Sequence, residues 1–73
     1  MGQILTWTVE TDDGTRLHRL ADFARLDRAK SAARHALAGR DVTLAVVKDR
    51  DGALVYATDG VEVWDREQEG VMP

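Results

Sequence analysis

The chain contains no cysteine, so no disulfide can staple it and no thiolate can act as a nucleophile or metal ligand. That absence fits a reducing compartment, and a cytoplasmic location is expected from it. Histidine is scarce (His18 and His35), and serine and proline occur once each, as Ser31 and Pro73. No HExxH, HxH or clustered acid–histidine spacing appears, which leaves no metal-site motif. The six glycines stand singly, so no glycine-rich loop can cradle a phosphate. Ser31 and His35 lie one helical turn apart, but nothing supplies a third orienting group or an oxyanion pocket. These gaps predict a chain with no catalytic site, no cofactor and no metal. Long apolar runs are missing too, so neither a membrane span nor a secretory leader is expected. Residues Met1 to Thr6 fit the short myristoylation pattern, yet Leu5 to Val9 reads as a strand that needs its apolar members inside.

What is present is 73 residues, half a typical domain, and a single domain over residues 1–73 is expected. A chain this short buries only about 60% of its unfolded surface, so association with a second subunit would help it. Ile4 to Glu10 alternates, with Leu5, Trp7 and Val9 on one side and Thr6, Thr8 and Glu10 on the other, the period of a half-buried strand. Thr11-Asp12-Asp13-Gly14 follows as a turn, and Thr15 to Leu20 as a polar return strand.

From Leu26 to Ala38 there is no glycine, proline or β-branched residue, and alanine dominates, which predicts a helix. Asp27 is placed to cap it, Asp22 is a competing cap about a turn earlier, and Gly39 is placed to stop it. Leu26, Ala29, Ala33, Ala36 and Leu37 share one stripe, so the helix can lie close to a sheet while adding little bulk. Val42–Val47 and Ala53–Ala57 read as two further strands joined through Asp49-Arg50-Asp51-Gly52. Asp59-Gly60 is a two-residue hairpin signal, leading to an edge strand over Val61–Trp64. Residues 66–73 are charged and are expected to fray. The class is therefore α+β: an antiparallel sheet of four or five strands, one helix on one face, in the order β-β-α-β-β-(β).

One helix covers one face of such a sheet. Ala45, Val47 and Val55, if exposed together on the other face, would make an apolar patch suited to a homodimer or to a partner protein. Charge is also uneven within the net −3. Residues 15–40 carry seven basic residues against two acids, whereas residues 41–73 carry eight acids against three bases. Arg16 and Arg19 on the return strand and Arg28 and Arg34 on the helix are the residues through which nucleic acid would be held, but on the helix wheel Lys30 and Arg34 lie on one flank of the apolar stripe and Arg28 and His35 on the far side. Asp49, Asp51, Asp59, Glu62 and Asp65 could instead meet a basic groove on a partner, or simply serve turns and solubility. Trp7, Tyr56 and Phe23 read first as core. Trp64 alternates with Val61 and Val63 on the edge strand, which makes it the candidate anchor of an interface.

The polar hairpin, the alanine-rich "RAKSAARHALAG", the strand "VTLAVV" and the closing "DG" hairpin resemble, over about residues 4–58, two groups of proteins. One is a set of short bacterial proteins with the same order of elements. The other is a subset of small phage-encoded anti-CRISPR inhibitors. The resemblance is one of architecture and assigns no individual residue. It implies a cytoplasmic inhibitor that docks on a CRISPR effector complex and blocks recruitment of DNA or nuclease. The function expected is thus a non-enzymatic protein-binding module, with Trp64 and the surrounding acids as its contact residues. The alternative is a small nucleic-acid-binding regulator.

Overall fold

Three aspartate–glycine turns organise the sheet. The computed structural model describes residues 6–39 and 41–69. Strand β1 (Trp7–Asp12) turns into β2 (Leu17–Phe23), followed by helix α1 (Leu26–Ala36), β3 (Leu44–Lys48), β4 (Leu54–Thr58), β5 (Val63–Asp65) and the single turn α2 (Arg66–Glu69). The strands form one sheet in the order β2-β1-β3-β4-β5, and every neighbouring pair is antiparallel. Carboxylates close each hairpin by accepting backbone N–H bonds: Asp13 from Thr15 and Arg16, Asp49 from Asp51 and Ala53, Asp59 from Val61 and Glu62. Gly60 sits at φ +94°, a conformation that residues bearing a Cβ rarely adopt.

Register decides which side chains meet the helix. Val9 faces Val47 across β1 and β3, and Val47 faces Tyr56 across β3 and β4. This row packs under Ala29 and Ala33 of α1, with Trp7, Phe23, Leu26, Ala32 and Leu37 around it. Ala29 and Ala33 are fully buried, so the methyl side chains set a close helix–sheet approach while strands and flanking aromatics supply the volume. The strand–helix order and the class agree with the sequence reading.

The same register overturns the expected apolar patch. Ala45 and Val47 are on the helix side at 0% exposure, and Val55 is buried at 3%. Pairing of Val47 with Val9 sets the phase of β3, so Ala45 and Val47 are consumed by the core, while Val46, paired with Glu10 and Ala57, lies on the other face at 5% exposure. The face away from α1 is polar over β2 and β1: the Thr8 hydroxyl donates to Asp22 at 2.8 Å, Arg19 pairs with Asp22, and Lys48 pairs with Glu10 at 3.0 Å.

The helix start is also corrected. Its N-cap is Arg25, in extended conformation with no side-chain cap. Asp22 is held in β2 because Phe23 pairs with Trp7, and Asp27 lies in the first turn, bonded to the Arg25 guanidinium. At the other end Leu37, Ala38 and Gly39 donate to carbonyls three residues back, tightening the last turn before Gly39. Of the segment expected to fray, Arg66–Glu69 forms α2, and residues 70–73 lie outside the described residues. The lipidation pattern over Met1–Leu5 and the strand positions Ile4 and Leu5 also lie outside them. No helix among the described residues is long and apolar enough to cross a membrane.

Candidate functional site

The β4–β5 turn is rigid for local reasons. Asp59 accepts from Val61 and Glu62 at 2.9 and 2.8 Å, and those backbone bonds, Glu62 first, hold its carboxyl below the ordinary 3.8. The buried Thr58 hydroxyl donates to the Glu62 carbonyl and accepts from the Gly60 N–H. A turn held this way projects Val61 into water at 90% exposure. Val63 follows at 59% on the helix side, where it pairs with Thr58. Trp64 pairs with Ala57, which pairs with Val46, so Trp64 presents its ring on the face away from α1 at 36% exposure.

Asp65 alternates back toward the helix and meets Lys30. The Lys30 ammonium lies 2.7 Å from Asp65 and 2.8 Å from Glu67, and 5.7 Å from the centre of the Tyr56 ring. Burial alone would lower the Lys30 pKa, but its hydrogen bonds to Asp65 and Glu67 outweigh burial and raise it above 10.5. Asp65 also accepts the Glu67 N–H at 3.0 Å, which caps α2. One cation thus ties the last strand and its helical turn to α1. Between them Arg34, Tyr56, Val63 and Asp65 line a pocket of about 420 Å³.

The acids expected to contact a partner divide accordingly. Asp49, Asp59 and Asp65 are engaged in turns, with Asp65 also paired to Lys30 and Asp49 lying 3.9 Å from Arg66. Asp51 and Glu62 are exposed and carry charge outward near β5. Trp64 lies on the edge strand β5 and Glu62 in the turn leading into it.

The arginines are not brought together. Arg16 and Arg19 belong to the β2 edge, with Arg19 on the face away from α1, while Arg28 and Arg34 are exposed on α1 itself. His18 lies 3.0 Å from Asp13, which also accepts from the Thr15 hydroxyl. The Thr15 bonds, then Arg16 and His18, hold the Asp13 carboxyl far below its ordinary range. Among the described residues no group of three or more His, Asp or Glu side chains is placed to hold a metal ion. Ser31 and His35 share no side-chain hydrogen bond.

Two features escaped the sequence reading. The role of Lys30 depends on partners 35 and 37 residues away, and its one sequence signal is its place on the flank of the alanine stripe. Leu17 and Leu20 are exposed at 43% and 53% on β2, and their signal was their position among arginines in an otherwise polar strand. Comparison with protein-family models, curated proteins and solved structures finds no match to this chain.

Proposed function

We propose that this chain is a non-enzymatic protein-binding module that docks through the β5 edge and occludes a basic surface on its partner. The observation that carries the reading is the exposure of Val61, Val63 and Trp64 (90%, 59% and 36%) on one edge strand and the turn that enters it. Large apolar side chains exposed along an edge, here with Val63 on the helix side and Trp64 on the other, cost solvation unless something covers them, and an aromatic among them is the usual anchor. Glu62 and Asp51 supply a negative rim that would steer a basic partner and set the approach. The architectural resemblance to phage anti-CRISPR inhibitors suggests a CRISPR effector complex as the partner, since such a complex needs basic channels for nucleic acid.

The test is affinity capture from a nuclease-treated lysate using wild-type protein, Val61→Asp, Trp64→Ala and Arg28→Glu/Arg34→Glu. A discrete protein complex that survives nuclease, is lost with both β5-edge variants and is kept by the helix variant would support the reading. Because Val61 is 90% exposed, its replacement leaves the fold intact and separates docking from stability. Capture that vanishes with nuclease or with the helix variant would replace this reading with nucleic-acid binding through the basic helix.

A further inference from the structure

We propose that copies of this chain associate head to tail, the acidic β5 edge of one seated against the basic β2 edge of the next. The proposal rests on reading β5 as a docking edge and identifies a second copy as an occupant that competes with any other partner. The topology supplies the first observation: β2 and β5 are the two opposite ends of the described sheet. Charge supplies the second. Residues 16–23, β2 with the residue before it, carry Arg16, His18 and Arg19 against Asp22 alone, whereas residues 59–65 carry Asp59, Glu62 and Asp65 with no base.

Apolar exposure supplies the third. Of the six large hydrophobic residues exposed among those described, Leu17 and Leu20 belong to β2 and Val61, Val63 and Trp64 to the β5 edge, leaving only Leu54 elsewhere. Within the longer β2 (Leu17–Phe23), one regular stretch has the length of the three-residue β5. Leu20 is the extra residue of a bulge, since Val9 pairs with Ala21 and Glu10 with Arg19. The regular stretch before it is Leu17–Arg19, the same length as Val63–Asp65.

Charge also decides between modes of association. A twofold contact of β5 with β5 would set Asp59 and Glu62 of one copy against the same acids of the other. A contact of β2 with β2 would do likewise with Arg16 and Arg19. Only the unlike edges attract, and an interface between unlike edges of one chain does not close on itself as a twofold dimer does. Part of the charge is already offset within the chain, with Arg19 on Asp22 and Asp65 on Lys30. The contact is therefore weak, sensitive to salt and driven by concentration.

Sedimentation equilibrium on the chain alone tests this, from about 10 µM to about 1 mM protein, at about 20 mM and about 1 M NaCl. The expected weight-average mass rises above 8.1 kDa with concentration at low salt and falls back toward it at high salt. Arg16→Glu/Arg19→Glu and Glu62→Arg should each weaken association roughly tenfold. Their equimolar mixture should regain mass, because the first variant keeps a native β5 edge and the second a native β2 edge. That recovery also shows that both variants are folded. A wild-type chain at 8.1 kDa throughout overturns the proposal, as does Arg16→Glu/Arg19→Glu associating like wild type or a mixture that recovers nothing. A monomeric chain that still captures a protein through Val61 and Trp64 sinks self-association and leaves the docking function standing. Self-association without any capture does the reverse.

Discussion

Replacing Lys30 with methionine keeps an aliphatic stem over the Tyr56 ring and removes the charge that joins α1 to β5 and α2. The side chains of Lys30 and Asp65 are 15% and 13% exposed, so their contact is nearly a buried ion pair, whereas Glu67 at 68% is a surface partner. A hydrogen bond between charged groups contributes about 1.5–3 kcal/mol where water is largely excluded, and an exposed pair less than about 1. Removing the lysine also takes from Asp65 a cation 2.7 Å away, while the desolvation cost of the ammonium is recovered. The expected net loss is about 2 kcal/mol. Against a total stability of roughly 4–11 kcal/mol for a chain of this length, that is a large fraction. It corresponds to a fall in melting temperature of roughly 8–16 °C.

The assay is urea unfolding of wild type, Lys30→Met, Asp65→Asn and the double variant, read by tryptophan fluorescence. The double variant should be about 1–2 kcal/mol more stable than the sum of the single losses implies, because neutralising both partners leaves neither charge without the other. The Lys30 pKa is raised on folding, so this contribution is complete below the unfolded lysine value and is lost as pH rises through the folded value above 10.5. A coupling near zero, or a Lys30→Met loss below about 0.5 kcal/mol, would refute the claim that this cation holds the C-terminal elements in place.

Ala33→Leu adds three carbons at a fully buried helix–sheet contact and should cost about 1–3 kcal/mol by urea unfolding, whereas the same change at exposed Ala38 should be near neutral. Asp13, Asp22 and Asp59 are all held below the ordinary 3.8 by hydrogen bonds, led by the Thr15 hydroxyl, the Thr8 hydroxyl and the Glu62 backbone N–H respectively. Their contribution is present above 3.8 and is lost as pH falls through the lower folded values, so the acid limb of stability should lie below 3.8. Carboxyl titration by NMR checks this, and midpoints at or above 3.8 for these three aspartates would contradict it.

Short-range chemistry alone made much of this protein legible. Alternation around Trp7 and Val9, the alanine-rich run from Leu26 and the Asp-Gly pairs at 51–52 and 59–60 act within a few residues, and the elements they specify are present with shifted ends. Trp64 on an edge strand was readable for the same reason. Tertiary structure decided the rest. Asp22 and Asp27 both satisfy the local rule for a cap, yet the pairing of Phe23 with Trp7 keeps the first in a strand and starts the helix at Leu26. Ala45, Val47 and Val55 are apolar whichever way the strands face, and only the pairing of Val47 with Val9 and Tyr56 turned Ala45 and Val47 to the helix and set Thr8, Glu10 and Lys48, with Val46, Ala57 and Trp64, on the other face. The meeting of Lys30 with Asp65, and the placing of β2 and β5 at opposite ends of one sheet, depend on strand order. Strand order is a global optimum over long-range contacts, and no window of neighbouring residues encodes it.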